Sequence, residues 1–314
     1  MIRLRVLALS AAVAVSAAAQ APAPQKAVLV TGASSGIGRK IAEKLASSGF
    51  FVYAGARSQK DLDDLNKIKN IQSVKLDVTV ASDISAAVAT VAKGGRGLWG
   101  VVNNAGVVNV GPLIELEEKD FDFLFNVNLY GPIRITKAFA PMLLESKGRV
   151  VNISSLNGIV TSGMIGPYSM SKHAIEAYGD GLAAELGRFG VRVSLIEPGN
   201  YRSEIGVNML ARWDSSIVKG SRFEQQIRGA ISSMRTFESN AEPDAVADAA
   251  LDALTSANPK MRYMVVPNQQ QAALTIRKMM ETLVQLNEGQ KFSYDRDALV
   301  KMLDDALARS KQSR

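Results

Sequence analysis

Short apolar runs and longer stretches of helical periodicity alternate along most of the chain. The run Lys26-Ala27-Val28-Leu29-Val30, with β-branched residues, leads into an amphipathic helical pattern from Arg39 to Ala46 and then a second strand-like run, Phe50 to Gly55. Further strands are predicted before Leu76-Asp77-Val78-Thr79, at Leu98 to Val102, at Arg149 to Ile153 and up to Ile196. Runs apolar on both faces belong in a parallel sheet with helices on both sides, so the pattern predicts an α/β fold. Beyond Val266 the rhythm changes to two helical patterns, Gln270 to Leu286 and Asp295 to Arg309, separated by Asn287-Glu288-Gly289-Gln290. The predicted organisation is a separate segment over 1–25, one domain over 26–268 and a helical extension over 269–314 packed on that domain. The extension covers either the substrate end or a subunit surface.

Chemistry enters where the first strand ends. Thr31-Gly32-Ala33-Ser34-Ser35-Gly36-Ile37-Gly38 is a glycine turn between a strand and a helix. Glycines there let the backbone approach a pyrophosphate, whose charge is met by free N–H groups and the positive end of the helix dipole. The spacing is Gly-x-x-x-Gly-x-Gly, which departs from the general dinucleotide fingerprint. After the fourth strand, Asn103-Asn104-Ala105-Gly106 puts small residues at the sheet's carboxyl end, leaving room for a ligand.

In Tyr168-Ser169-Met170-Ser171-Lys172 a phenol and an ammonium stand four residues apart, on one face of a helix. A phenol with a pKa of about 10 is a poor base at neutral pH, and a neighbouring cation is expected to lower that value. Tyr168 thereby becomes a candidate general acid and base. Ser155, thirteen residues earlier at a strand end, can donate a hydrogen bond to a developing oxyanion. Asn128 falls on a predicted helix in Phe125-Asn126-Val127-Asn128-Leu129-Tyr130-Gly131, where its residue type alone reads as a buried amide.

Together with Pro198-Gly199, these motifs stand in the order and spacing of the short-chain dehydrogenase/reductase family, which the chain resembles from about residue 26 to 266. The resemblance implies a Rossmann-type doubly wound sheet, an NAD(P) cofactor and hydride transfer between a secondary alcohol and a carbonyl. It implies that Ser155 polarises the carbonyl, Tyr168 transfers the proton, Lys172 holds the nicotinamide ribose and Asn128 anchors a relay water. Ser155 is preferred to Ser154 by the family's spacing to the tyrosine, and Asn128 to Asn126 by the pattern Asn-x-x-Gly. Cofactor contacts are implied for Thr31, Gly32, Ser34, Ser35, Gly36, Ile37 and Gly38, and for Asn104, Ala105 and Gly106. Asp77 and Val78 would meet the adenine, Pro198 and Gly199 the nicotinamide, and Ser203 its carboxamide. Asp77 reads equally as a cap for the next helix.

The second strand ends in Ala56-Arg57-Ser58, with no carboxylate to bind a ribose 2′-hydroxyl. Arg57 can pair with a 2′-phosphate and Ser58 can add a hydroxyl, so NADP is expected, with NAD possible. Ser35, where many NADP-preferring relatives carry a basic residue, points the other way. From Ser203 to about Thr236 the pattern is irregular and mixes Met209, Leu210, Trp213, Ile217 and Phe223 with charges, which suits a lid over an apolar substrate or a helical hairpin on the body.

The 314 residues are 47% apolar and 21% charged, enough for one large core. A net charge of +7 admits nucleic acid, but the basic residues are spread through helices instead of clustered with aromatics, so no nucleic-acid partner is expected. One histidine and no cysteine exclude disulfides and argue against a zinc site. His173 points about 100° away from Lys172 around the helix and reads as surface or packing. Arg3 and Arg5 before the apolar run Val6 to Ala19, then Gln20 and a Pro-rich spacer, have the layout of a secretory signal. Export or membrane association through this segment is expected, with a cytoplasmic enzyme as the alternative.

The leading expectation is an alcohol dehydrogenase or carbonyl reductase for a hydrophobic, steroid-, retinoid- or lipid-like small molecule. Tyr53 to Arg57 and Ile196 to Gly199 resemble the hydroxysteroid and retinol dehydrogenase branch. A 3-oxoacyl thioester reductase is the enzymatic rival, and a non-catalytic cofactor-binding regulatory protein is the rival of another class. A homo-oligomer is expected by analogy with the family.

Overall fold

A computed structural model of the protein describes residues 25–212, 218–235 and 240–312. Seven strands form one parallel sheet: β1 (Ala27–Val30), β2 (Phe51–Ala56), β3 (Ile71–Lys75), β4 (Gly100–Asn103), β5 (Arg149–Ile153), β6 (Arg192–Pro198) and β7 (Arg262–Val265). Their order across the sheet is β3-β2-β1-β4-β5-β6-β7. The order reverses between β1 and β4, which opens a crevice at the carboxyl ends of those strands, the usual ligand position in such sheets.

The described helices are α1 (Gly36–Ser47), α2 (Gln59–Asn66), α3 (Ala81–Lys93), α4 (Glu118–Phe125), α5 (Gly131–Ser146), α6 (Gly166–Leu186), α7 (Ile205–Arg212), α8 (Glu224–Arg235), α9 (Asp244–Thr255), α10 (Gln269–Asn287) and α11 (Arg296–Gln312). Alternation along the strands divides the core. Val28, Val30, Val52 and Ala54 pack with Ile41 and Leu45 of α1 and Val246, Ala250 and Leu254 of α9. Leu29, Tyr53, Val101 and Val150 pack on the other face with Val91 of α3 and Ile135 and Phe139 of α5. Each fully buried Val, Leu, Ile or Phe among them contributes about 1.5–3 kcal/mol, which is why the sheet is the rigid frame of the molecule. A π-helical turn, Asn126–Tyr130, joins α4 to α5, and such turns recur at functional sites.

The irregular stretch after Ser203 resolves into α7 and α8, which touch each other and place Met209 and Met234 against Val108 and Val110. The hairpin reading therefore holds for its described parts, while Trp213 and Ile217 lie outside the described residues. The signal-like segment does too, as far as residue 24. Among the described residues no helix is long and apolar enough to cross a membrane. At the start of α10 Thr275 is buried and Gln271 Oε1 accepts from Asn200 N at 2.9 Å. Residues 296–310 of α11 contain no buried position, so this helix does not share in the core. Its apolar side chains, among them Met302, Leu303 and Leu307, face outward.

Candidate active site

A cavity of about 700 Å³ opens at the carboxyl end of the sheet. Its nucleotide end is shaped by close backbone approach. Gly32 has φ +63°, and an added Cβ would stand 2.8 Å from Ala105 Cα. At Gly38 a Cβ would come within 2.2 Å of Gly32 O and 2.3 Å of Asn104 Nδ2, so no larger residue fits without displacing the turn. The first turn of α1 carries no acidic residue, and its cap, Ser35, makes no side-chain hydrogen bond to the helix. Free amides and a positive helix end therefore face the cavity at Ile37 and Gly38, which fits the pyrophosphate of a dinucleotide.

The structure brings most of the predicted cofactor contacts to this wall: Gly32, Ser34, Ser35, Ile37, Gly38, Arg57, Asp77, Val78, Asn104, Ala105, Gly106, Pro198, Gly199 and Ser203. Three predicted residues stand behind it instead. Thr31 is buried, and its Oγ1 accepts from the amides of Asn104 and Ala105 at 3.0 and 3.1 Å, so it shapes the Asn-Asn-Ala-Gly segment. Gly36 begins α1 at φ +53°, against Ser203. Asn128 is buried, with Oδ1 accepting from Val107 N at 2.8 Å and Nδ2 donating to Val107 O and Ser171 Oγ. The π-helical turn thus aims Asn128 at the backbone that follows Gly106.

The catalytic candidates come from β5 and α6. Ser155 lies just past β5, where its Oγ accepts from Asn157 N at 3.1 Å and its side chain is hydrogen-bonded to that of Tyr168. Lys172, one turn after Tyr168, donates from Nζ to Ile153 O at 2.9 Å. All three line the cavity. The expectation that Lys172 lowers the Tyr168 pKa is not met. Burial pushes the phenol above its ordinary value, opposed by the Ser155 hydrogen bond, and the ammonium lies 5.6 Å from the ring centroid. Burial likewise pushes Lys172 down to about 8, with the Glu176 carboxylate acting against it. Sequence spacing gives a shared helix face but not the degree of burial, and here desolvation sets the direction.

At the β2 end, Arg57 is exposed at the cavity rim. Ser58 is committed elsewhere: its Oγ caps α2, accepting from Asp61 N at 3.2 Å and donating to Asp61 Oδ2 at 2.6 Å. Asp77 accepts from Thr79 N and Thr79 Oγ1 at 2.9 and 2.6 Å, whereas the cap position of α3 belongs to Val80. His173 is exposed, with Nδ1 2.9 Å from Ser169 O. Among the described residues no group of three or more His, Asp or Glu could hold a metal.

Sequence reasoning missed part of the substrate wall. Asn157, Val160, Met234, Gln271, Leu274 and Lys278 all border the cavity. No local motif marks them, because three separate segments supply them.

The family model described as short chain dehydrogenase matches residues 26–212. The chain is 35% identical to the mitochondrial D-beta-hydroxybutyrate dehydrogenase of Mus musculus over 261 residues, 76% of each chain. It is 36% identical to retinol dehydrogenase 7 of Rattus norvegicus over 254 residues, covering 76% of this chain and 80% of that one. Among solved structures, a short-chain dehydrogenase from Streptomyces avermitilis superimposes with a TM-score of 0.71 at 30% identity, covering 84% of this chain and 95% of the other. The chain belongs to the short-chain dehydrogenase family. Its activity is NAD(P)-linked oxidoreduction between an alcohol and a carbonyl.

Proposed function

We propose that the enzyme acts on a hydrophobic substrate with NADP, and that Ser155, Tyr168 and Lys172 carry the reaction, with Asn128 supporting it. One observation carries this reading: Ser155, Tyr168 and the buried Lys172 border one cavity, whose substrate half is walled by Val107, Val108, Val160, Ile165, Met234 and Leu274. The names of relatives, retinol dehydrogenase 7 and 17-beta-hydroxysteroid dehydrogenase type 6, agree with an apolar substrate.

The nicotinamide, when bound, supplies or accepts the hydride. In the reductive direction Ser155 donates a hydrogen bond to the carbonyl oxygen and Tyr168 gives up its hydroxyl proton to the alkoxide as it forms. The phenol is kept protonated by burial, which is the form reduction requires. In the oxidative direction Tyr168 acts as the phenolate, whose negative charge the Lys172 ammonium stabilises, and becomes a neutral phenol as it takes the alcohol proton. Asn128 holds the Val107 backbone that forms the wall beside these groups. Gly32, Ile37 and Gly38 would hold the pyrophosphate, and Arg57, with no carboxylate beside it on β2, would pair with the 2′-phosphate.

Purified protein tests this with NADPH oxidation against a panel of steroids, retinoids, hydroxy-acid ketones and 3-oxoacyl thioesters. Turnover of the apolar ketones is expected. Tight NADPH binding with turnover of no panel member would favour a cofactor-binding regulatory protein. Titration with NADPH and NADH, before and after Arg57→Ala, tests the phosphate contact. About tenfold weaker NADPH binding with NADH unchanged is expected, and an NADH preference in the unaltered protein would overturn it.

A further inference from the structure

Behind the catalytic lysine lies a second set of buried charges that the reaction above does not use. Glu176 follows Lys172 by one turn on the same buried face of α6, and Glu197 stands on β6 one residue before Pro198. Arg262 on β7 reaches both. Its Nε donates to Glu176 Oε2 at 3.0 Å, and its Nη2 donates to both oxygens of Asp180 at 2.8 Å. Glu197 is 1% exposed and makes no hydrogen bond to another side chain, with Arg262 Nε at 3.8 Å from its Oε1.

The second Glu176 oxygen, Oε1, has no hydrogen-bond partner among the described residues, and neither has Ser154 Oγ. Both crowd the backbone at Gly158, where an added Cβ would stand 2.7 Å from Ser154 Oγ and 3.1 Å from Glu176 Oε1. Ser154 follows Ile153, whose carbonyl holds Lys172. A carboxylate serving only structure would seat both oxygens on the guanidinium, as Asp180 does. Leaving one oxygen buried and unpaired is costly, so its position calls for an electrostatic reason.

We propose that Glu176 is a positioning residue for Lys172: its carboxylate, one helical turn away, clamped by Arg262 through one oxygen and with the other left buried and unpaired, keeps the buried lysine an ammonium. This rests on Lys172 acting in the reaction, as set out under the proposed function. The charged and titratable groups facing this spot are Tyr168, Lys172, Glu176 and Asp180 of α6, Glu197 of β6 and Arg262 of β7. Burial pushes Lys172 down to about 8 and Glu176 opposes that push. Burial, and then the Glu176 charge, drives Glu197 up to about 8.

The test is the pH profile of kcat/KM for ketone reduction at saturating NADPH, in the full chain and in Glu176→Gln. The alkaline limb, where Lys172 loses its proton, is expected to move to lower pH by about one unit or more. Glu176→Asp keeps the charge but withdraws it, so its limb is expected between the two; it also serves if the glutamine variant does not fold. A limb that stays in place in either variant, whatever the thermal stability does, overturns the proposal. Lys172→Met separates the two layers of the account. If it retains activity, the underlying assignment of Lys172 fails as well; if it is inactive while the limb stays fixed, only the role of Glu176 fails.

Discussion

At the nucleotide end of the cavity, backbone touches backbone: Gly32 against Ala105, and Gly38 against Gly32 O and Asn104. At the substrate end, side chains from α7, α8 and α10 meet across the opening, among them Asn208, Met234 and Leu274. The first wall is drawn from two short loops and has no room for one added carbon. The second is drawn from segments far apart in sequence and is lined by flexible or aliphatic side chains. A shared cofactor demands a wall that cannot vary, whereas substrate choice resides in one that can.

The sharpest way to break this comparison is Gly38→Ala. A Cβ there meets carbonyl and amide atoms that cannot yield cheaply, at an expected penalty of about 1–3 kcal/mol or more. NADPH affinity followed by fluorescence should fall by about tenfold or beyond; unchanged affinity would mean that the turn is looser than its contacts imply.

Glu197, buried in β6 one residue before Pro198, tests the sheet beneath the two walls. Its folded-state carboxyl titrates at about 8, raised from 4.5 chiefly by burial and then by Glu176. A raised value means that the folded state holds the proton more tightly than the unfolded chain. The associated stability is complete below about pH 4.5 and is lost as pH climbs to about 8. Each pH unit inside that window costs at most about 1.4 kcal/mol. Denaturant unfolding measured across it should show the decline in the unaltered protein and a flatter dependence in Glu197→Gln, and parallel curves would refute the buried acid.

The smallest effect is expected at the variable wall. Leu274→Ala should raise KM for a bulky apolar ketone by about 1 kcal/mol equivalent, roughly 5-fold, with little change in kcat. A loss confined to kcat would place α10 closer to the chemistry than its position at the rim suggests.

The same contrast explains what the sequence discloses. The glycine turn, the Asn-Asn-Ala-Gly segment and the Tyr168–Lys172 spacing are local patterns, and the apolar runs of β1, β2, β4 and β5 are enough to place the first two at the carboxyl end of a parallel sheet. Gln271 and Leu274 belong to a helix whose periodicity says nothing of where it docks. Burial at Lys172 was equally hidden, since helical spacing reports a shared face but not the desolvation that raises the phenol and lowers the amine. Glu176, Glu197 and Arg262 are separated by up to 86 residues, and only the sheet brings their charges together. Ser58, free to serve a phosphate by position, turned out to be taken by its own helix as a cap.

The central claim is that the Tyr168 hydroxyl carries the proton. Single-turnover reduction of a panel ketone by Tyr168→Phe, with NADPH affinity measured on the same preparation, tests it most directly. The expected result is a fall in rate of about 10²–10⁴-fold with cofactor binding retained. A rate near that of the unaltered enzyme would contradict the account.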